Sequence, residues 1–383
     1  MLPGEIVMNR MRASSGLFAA ATSDGLVSPD YAIFRTVSQV NVAYAVQLFR
    51  TPAMMAVFRI ESTGLGTGES GFLRLYSDQF GRLAIPIPPL AEQAAIMRFL
   101  DWATGRLDRT IRAKRKVIAL LTEQKQAINQ RAVTCGIDEM VARKPTGIAH
   151  LGEVPQSWEV RRLKSLVTNV IDQTATKNAD EIYIALEHVQ SWTGRVNLQR
   201  SQDEDLFTGK VKKFRKNDVL FGKLRPYLAK VITAPSSGVC VGEFFVLRTD
   251  QSLITSLFLE RLLRSVSVIR TINSSTFGAK MPRADWQFVG NLLVALPAIR
   301  EQAMIVESIL RETTPLDNAV SRREHEIELL REYRARLVAD VVTGQLDVRE
   351  AAARLPVVTT PVVTDDLSAE TDEAELADEE TAA

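Results

Sequence analysis

Apolar residues follow two patterns in this chain, and each pattern occurs twice. Short apolar runs separated by Gly, Pro and Ser fill residues 4–35 and 217–248 and predict strands joined by turns. Helically spaced segments follow, VNVAYAVQLFRTP and SLITSLFLERLLRS. Each copy then has a strand-like run, LAIPIPP or LLVALPA, that turns at proline into a long amphipathic helix. The pattern predicts a globular–helical–globular–helical order.

The repetition can be aligned residue by residue. PPLAEQAAI (88–96) returns as PAIREQAMI (297–305), and residues 83–138 align without a gap with residues 292–347. Residues 4–35 align in the same way with residues 217–248. Solenoid units run about 20–50 residues, so this longer period predicts two large copies of one module.

Both long helices carry the same heptad seam. We expect an interruption at Thr104-Gly105 and at Thr313-Thr314-Pro315, where a capping residue and a first-turn proline would start a new helix. Beyond it the apolar seam positions are Leu107, Ile111, Ile118, Leu121 and Ile128 in the first copy and Leu316, Val320, Ile327, Leu330 and Leu337 in the second. Identical register favours two helices packing on each other, and amphipathic helices packed on their own domains are the alternative.

Composition adds a charge asymmetry. The net charge of the chain is +1, but residues 361–383 hold nine acidic residues and no basic one, which leaves residues 1–360 at +10. The tail has the composition of a disordered, solubilising segment, and the basic body suits a polyanionic partner. Two isolated cysteines and three scattered histidines argue against a disulfide framework or a zinc site, and the absence of a long apolar run makes the cytoplasm the expected location.

Basic residues interleaved with aromatic ones are the candidate DNA contacts, because cations attract phosphates and Arg can read guanine edges. The densest stretch is KVKKFRKNDVLFGKLRPYLAK (210–230), and the loop at 278–283 is a second candidate. The predicted residues are Lys212, Lys213, Arg215, Lys216, Lys223, Arg225, Tyr227, Lys280 and Arg283 in the second copy and Arg10, Arg12 and Arg74 in the first. A solvated strand-and-turn face is the structural alternative.

Several ordered phrases together resemble the specificity subunits of type I restriction–modification systems. They are PPLAEQAAI, GEVPQSWEVRRLKSLV, IALEHVQSWTGRV and ELLREYRARLVADVVTGQLDVR, and the resemblance covers residues 4 to about 350. It implies an α+β fold with tandem target-recognition domains separated by two long helices that pair as an antiparallel coiled-coil spacer. It also implies a non-catalytic, DNA-binding subunit that directs adenine methylation and restriction to a bipartite site.

The resemblance further implies partners and cofactors. The partners would be double-stranded DNA, modification subunits and restriction subunits, and the ten seam residues would serve the spacer and partner docking. S-adenosylmethionine, ATP and Mg²⁺ would bind the partner subunits and not this chain. No membrane is implied.

The expected domains are a remnant, the C-terminal half, of the first recognition domain (1–90), first spacer helices (91–145), a second recognition domain (146–298), second spacer helices (299–347) and a disordered acidic tail (348–383). The second copy has about 70 residues, 147–216, before the shared stretch, and the first copy has three. We therefore expect the first domain to be truncated, through a genuine start, a misplaced start codon or an upstream frameshift.

Other chemistries find little support. GLGTGESG (64–71) lacks the Lys and the following helix of a phosphate loop, so a surface loop is expected. Methyltransferase, nuclease and Walker motifs are not found. Glu92-Gln93 and Glu301-Gln302 are expected to be structural, with partner docking as the alternative. The competing functions are a docking scaffold with defective DNA reading and a stand-alone nuclease or methyltransferase.

Overall fold

The computed structural model describes residues 1–65, 72–138, 140–178, 180–197, 210–276 and 281–356. The chain forms two compact units: unit 1 holds residues 1–112 and 328 onward, and unit 2 holds residues 113–327. Two long helices, α4 (Leu90–Cys135) and α8 (Ile299–Val342), contribute residues to both units. No helix within the described ranges has the length and apolarity needed to cross a membrane.

Unit 1 is built from a small sheet and short helices. Its elements, besides its parts of α4 and α8, are β1 (Ile6–Asn9), β2 (Phe18–Ala20), β3 (Tyr31–Phe34), α1 (Val42–Phe49), α2 (Pro52–Glu61), β4 (Thr63–Leu65), β5 (Phe72–Arg74), α3 (Ser77–Gly81) and α9 (Arg349–Ala353). The strand order β2-β1-β3 is antiparallel, and β4 pairs with β5. Phe18, Phe49, Phe58 and Phe80 pack ring against ring in its core.

Unit 2 is larger. Its elements are β6 (Arg143–Pro145), β7 (Glu153–Pro155), β8 (Glu159–Arg162), β9 (Val167–Val170), β10 (Gln173–Thr174), β11 (Ile182–Ile184), β12 (Val211–Phe214), β13 (Val219–Gly222), β14 (Val231–Thr233), β15 (Gly238–Cys240), β16 (Phe244–Thr249), α5 (Ser256–Leu263), α6 (Val266–Ser274), α7 (Trp286–Asn291) and β17 (Leu293–Leu296). The strand orders are β14-β13-β16-β9 and β10-β12-β15-β11, with β6-β7 and β17-β8 pairs. Buried residues form one core around Trp158, Phe221 and Phe258 and a second around Phe214 and Phe244.

The repeat predicted between residues 4–35 and 217–248 is confirmed strand by strand. β1, β2 and β3 correspond to β13, β14 and the first part of β16, each 213 positions on. The pairing register is also the same: Ile6 lies opposite Ala20 and Phe34, as Val219 lies opposite Thr233 and Leu247. The predicted helical segments form α1 and α5. Both units therefore contain the same three-stranded sheet and following helices.

The two sheets differ at one edge. In unit 2, β9 pairs with the outer side of β16 through residues 167–170. In unit 1, the residues that the structure describes place no strand at the corresponding side of β3. The strand-like run LAIPIPP also forms no strand, whereas LLVALPA contains β17, which pairs with β8. Pro86, where the second copy has Ala295, cannot donate a ladder hydrogen bond, which accounts for part of this difference.

A buried glutamine joins each long helix to its module. In unit 1 the Gln93 side chain accepts a hydrogen bond from the Asn41 backbone N–H (2.7 Å) and donates to the carbonyls of Gln39 (2.9 Å) and Pro88 (2.7 Å). Asn41 is in turn the N-cap of α1, because its side chain accepts from the Tyr44 N–H. Gln93 is 0% exposed, so its amide finds all its partners within the protein.

Unit 2 repeats this arrangement atom for atom. The Gln302 side chain accepts from the Thr255 N–H (2.8 Å) and donates to the carbonyls of Leu253 (2.8 Å) and Pro297 (3.0 Å). Thr255 caps α5 through its hydroxyl, and Gln302 is also 0% exposed. The structural role predicted for Gln93 and Gln302 is confirmed.

The expected helix interruptions are wrong. α4 passes through Thr104-Gly105 and α8 through Pro315 as continuous helices. Pro315 lacks the N–H that would bond the fourth carbonyl before it, a cost of about 3 kcal/mol in an isolated helix. The Thr313 and Thr314 hydroxyls donate backward to the carbonyls of Ile309 (2.7 Å) and Leu310 (2.6 Å) of the same helix, so they do not cap a new one. Packing along the helix overrides the local stop signal.

The predicted seam is confirmed as the inward face of the helix pair. Ile111, Ile327 and Leu337 are buried, and the other seven seam residues are half-buried. In unit 2, ion pairs join Lys125 to Asp317 and Lys114 to Glu326 (2.6 Å). In unit 1, Arg334 pairs with Asp108 at 3.3 Å, which is the counterpart of Lys125–Asp317 after the 209-residue shift. The partners run in opposite directions along the two helices, so the pairing is antiparallel and the α+β fold class is confirmed.

The prediction that the chain is disordered from residue 348 is wrong for the part of the tail that the structure describes. Val348 and Ala352 are buried in the core of unit 1, and α9 occupies residues 349–353. Arg349 pairs with Asp347 (2.6 Å) and approaches Glu92 (3.8 Å). The acidic residues from 357 onward lie outside the described ranges, as do residues 66–71 of the glycine-rich loop. The remaining domain ranges stay predictions.

Replacing the buried glutamine should loosen the helix start. We expect Gln93→Leu to destabilise unit 1 by roughly 2–4 kcal/mol, since it leaves the Asn41 N–H and two carbonyls unpaired. Hydrogen exchange at the α1 amides measures this local opening. Gln124→Leu, on the exposed face of α4, is the matched control and should leave exchange unchanged. Equal rates of hydrogen exchange at the α1 amides in Gln93→Leu and in the control would contradict a stabilising role for Gln93.

The seam carboxylate Glu326 should remain ionised in acid. Hydrogen bonds from Lys114 and Arg323 lower its pKa from 4.5 to about 2. A lowered pKa means that these contacts stabilise the folded helix pair above about pH 4.5 and lose this effect as the pH falls toward about 2. Carbon NMR of the Glu326 carboxyl should therefore show no protonation at about pH 3.5, and a midpoint near its ordinary value would refute the contact.

Candidate nucleic-acid interface

The end of β13 and the turn after it bring together four of the predicted DNA contacts. Lys223, Arg225 and Tyr227 leave the strand in sequence, and Arg283 lies beside them. The Arg225 N–H donates to the Pro282 carbonyl (2.8 Å), and the Ala284 N–H donates to the Lys223 carbonyl (2.8 Å). We call Lys223–Ala229 with Pro282–Ala284 the rim of unit 2. The two basic stretches found separately in the sequence thus form one surface.

An acidic residue lies within this rim. Arg283 donates to Glu243 at 3.2 Å, and the Lys223 N–H donates to the Glu243 carbonyl (2.9 Å). The Arg283 side chain remains 58% exposed, so its guanidinium can still reach a ligand from solvent. Tyr227 is 44% exposed beside it. The rim therefore offers an arginine held by a carboxylate, together with an exposed aromatic ring.

The rim backbone is strained at two non-glycine residues, Arg225 and Ala229, which both have positive φ. Arg225 has φ +49° and precedes Pro226, where a short 3₁₀ turn begins. A non-glycine residue in this region costs on the order of 1–3 kcal/mol, and such strain concentrates at binding and catalytic sites. The hydrogen bond to Pro282 and the bridge between Leu224 and Arg283 hold the turn in this shape.

Unit 1 contains a corresponding rim whose turn differs at Arg12, which has φ −119° where Arg225 has φ +49°. The Arg10 N–H donates to the Asp30 carbonyl (3.0 Å), the Leu75 N–H donates to the Arg10 carbonyl (2.9 Å), and Arg74 pairs with Asp30 at 2.8 Å. Arg10, Asp30 and Arg74 correspond to Lys223, Glu243 and Arg283. Arg12, the counterpart of Arg225, is exposed. The acidic partners Asp30 and Glu243 were not predicted from the sequence, although they occupy equivalent positions in the aligned stretch.

Some side chains differ between the rims for structural reasons. Asn9 accepts hydrogen bonds from the N–H groups of Met11 (3.0 Å) and Arg12 (3.1 Å), so its side chain holds the turn. A Cβ at its counterpart Gly222 would meet Leu186 and the Lys230 carbonyl at 3.1 and 3.3 Å. The Asn9/Gly222 difference is therefore explained by packing. Arg10 corresponds to Lys223, and Ser14 corresponds to Tyr227; Arg10 donates from Nη1 to the Pro29 carbonyl (3.1 Å).

The other predicted residues lie elsewhere. Arg215 and Lys216 are exposed in the turn before β13, at the opposite end of that strand, and Lys213 is half-buried on β12. Lys212 is 9% exposed and donates to the Phe244 carbonyl (2.7 Å); burial, more than the nearby Lys223 charge, lowers its pKa. This placement argues against the DNA contact predicted for Lys212. Lys280 lies outside the described residues. The DNA-binding role of the rest stays a prediction.

Known proteins with similar sequences are specificity subunits. No protein-family model matches the chain. It is 21% identical over 248 residues to the specificity subunit of the type I restriction enzyme EcoDI of Escherichia coli, covering 59% of this chain and 54% of that protein. It is 23% identical over 284 residues to the MjaVIII specificity subunit of Methanocaldococcus jannaschii, covering 70% and 64%. The chain thus spans between half and two thirds of these relatives.

A solved structure shows the same fold. A chain from a study of complex assembly and conformational transition in a type I restriction–modification system matches with a TM-score of 0.64 and 15% identity, over 90% of this chain and 83% of that one. At this identity the likeness concerns the fold alone. The sequence matches confirm the resemblance predicted from the sequence, and the structural match confirms the fold: the chain is similar to type I restriction-enzyme specificity subunits.

Proposed function

We propose that this chain is the DNA-reading, non-catalytic subunit of a type I restriction–modification complex. It would direct adenine methylation and restriction to a bipartite site, each module contacting one half. Modification subunits carrying S-adenosylmethionine and restriction subunits using ATP and Mg²⁺ would supply the chemistry. The cytoplasmic location expected from the sequence stays a prediction.

The observation that carries this proposal is the duplicated rim. Two units build the same strand ends and an acid-braced arginine, yet present Arg10 and Ser14 in one and Lys223 and Tyr227 in the other. A repeated set of strands with different side chains and a different turn backbone is suited to reading two unlike half-sites. Cations supply phosphate attraction, and Arg or Lys can bond guanine O6 and N7 in the major groove.

The seam supports the spacer role. Equivalent ion pairs, Lys125–Asp317 and Arg334–Asp108, oppose a one-turn slip of either helix within its unit, because a slip would separate both charges from their partners. A fixed register is the property that a spacer between two half-sites needs. Exchanging seam residues would therefore weaken that register. Partner docking on the helices is also part of the proposal.

Charge reversal at the rim tests the proposal. The full chain, purified with its modification partner, should retard duplex DNA carrying its motif, which methylome sequencing of the host would identify. Lys223→Glu with Arg225→Glu should weaken binding at least about tenfold and flatten its salt dependence, since two cations are lost. The complex should remain intact by size-exclusion chromatography. Glu substitutions at exposed Arg331 and Arg336 on α8 form the control and should leave affinity nearly unchanged.

Two outcomes would contradict this function. A complex that binds motif and random DNA equally at all salt concentrations would have no specificity and would favour the docking scaffold with defective reading. Dissociation of the complex by the rim variants would assign Lys223 and Arg225 to assembly instead of DNA.

Two neighbouring lysines, Lys212 and Lys213, test whether the buried one stabilises the fold or contacts DNA. Lys212→Met should destabilise unit 2 and leave DNA affinity unchanged once folding is complete, because its ammonium bonds the Phe244 carbonyl. Lys213→Met, at a half-buried position on the same strand, should leave stability within about 0.5 kcal/mol. Thermal melting and DNA retardation of both variants measure this. A loss of DNA affinity in folded Lys212→Met would restore Lys212 as a contact.

A further inference from the structure

One exposed face of α4 in unit 1 is strongly basic. Its cations are Arg98, Arg106, Arg109 and Arg112, and all of them are exposed. Within the residues that the structure describes, none of these side chains makes an ion pair or a hydrogen bond. At 3.6 residues per turn the arginines lie within about 120° of the helix surface, opposite the seam. We call them, together with Trp102 on the same face, the arginine stripe.

Trp102 gives the stripe an aromatic element. The guanidinium carbon of Arg106 lies 5.2 Å from the centroid of the Trp102 ring, a cation–π distance, and Trp102 remains 36% exposed. The same stretch of α4 also contains two carboxylates, Asp101 and Asp108. Asp108 is already paired with Arg334 at 3.3 Å, so Asp101 alone remains to oppose the stripe from within the helix. The stripe therefore keeps an excess of positive charge.

The acidic tail starts from the same unit. Val348 and Ala352, at α9, belong to the hydrophobic cluster that also contains Leu100 of α4. Arg349 at the start of α9 lies 3.8 Å from the carboxylate of Glu92, which is in the first turn of α4. The segment that leads into the tail is therefore anchored beside the helix that carries the stripe.

The charge and the length of the tail match the stripe. Residues 365–380 hold nine Asp and Glu residues and no Lys or Arg. Asp365 follows Pro356, the last residue that the structure describes, by nine positions, and nine residues can span about 30 Å. The stripe extends over about 21 Å, at 1.5 Å per residue from its first arginine to its last. The acidic segment can therefore reach the whole stripe without any change in the described part of unit 1.

We propose that the acidic segment 365–380 binds the arginine stripe of its own chain. Carboxylates bond guanidinium groups through paired, charge-assisted hydrogen bonds. Each exposed ion pair is weak, but the tether holds the acidic segment at a millimolar effective concentration, so several weak pairs together suffice. A separate acidic protein would have to bind without this tether, which is why the chain's own tail is the favoured occupant. The inference does not depend on the proposed DNA-reading function.

Paramagnetic relaxation in the full chain, without DNA, tests the proposal. A nitroxide attached at Ser368→Cys should broaden the indole N–H signal of Trp102 at low salt, relative to the reduced label. Cys135→Ser removes the half-buried native thiol, and Cys240 is 0% exposed, so the label attaches at one site. The broadening should be lost at about 0.5 M salt, where screening limits exposed charges to a range of a few ångströms.

Charge variants separate binding from tethering. Replacing the nine acidic residues of the tail by Asn and Gln keeps its length and should abolish the broadening. Arg98→Gln with Arg109→Gln should reduce the broadening at least about twofold, because half of the guanidinium groups of the stripe are lost. Arg331→Gln with Arg336→Gln, at exposed positions of α8 in the same unit, is the matched control and should leave the broadening unchanged.

Two results would overturn the proposal. Equal broadening with the neutral tail would mean that the tether alone brings the label near Trp102. Absence of broadening at low salt would exclude the tail as the occupant, and a shift of the Trp102 signal on adding random-sequence duplex would then assign the stripe to nucleic acid. An unchanged circular dichroism spectrum shows that each variant folds. If the stripe variant does not fold, the neutral-tail comparison decides, since it leaves every described residue in place.

Discussion

A single buried glutamine at the start of each long helix ties that helix to its module. Its amide reaches three backbone groups at once: the N–H of the residue that caps α1 or α5, a carbonyl just before that cap, and a carbonyl five residues back on its own segment. Because the amide is fully buried, water cannot replace any of these bonds. The helix direction, the cap and the preceding proline are thus set together, and any shift of one breaks bonds to the others.

This constraint explains why the repeated phrase keeps Pro and Gln five positions apart. The proline carbonyl must face the glutamine amide one helical turn later, and the chain must enter the helix at that point. Glu92 and Glu301 beside it are less uniform: Glu301 accepts from the Trp158 indole (2.8 Å), whereas Glu92 approaches Arg349 at 3.8 Å. The glutamine makes the same backbone contacts in both units, whereas the glutamate contacts a different neighbouring side chain in each unit.

Much of the fold was predictable because it rests on patterns that recur in the sequence. The 213-residue alignment predicted that residues 4–35 and 217–248 form matching strands joined by turns, and the heptad spacing predicted the inward face of both long helices. Local stop signals were misleading at Pro315 and Thr104, since packing along a long helix outweighs the loss of one backbone bond. The partners of Gln93 and the carboxylates that brace the rims lie far away in sequence, and no spacing within a segment reveals them.

The acid within each rim bears on how DNA reading would work. A bare cluster of arginines binds any duplex through phosphate attraction, whereas an arginine held by Asp30 or Glu243 gives up part of that attraction before DNA arrives. The carboxylate also holds the guanidinium in one orientation, as bidentate contact with a base edge requires. Under the proposed function, bracing therefore lowers non-specific affinity and preserves contacts that depend on geometry. The difference between half-sites then lies in Arg10 against Lys223, in Ser14 against Tyr227 and in the turn backbone at Arg12 and Arg225, because the strands that present them pair in the same register in both units.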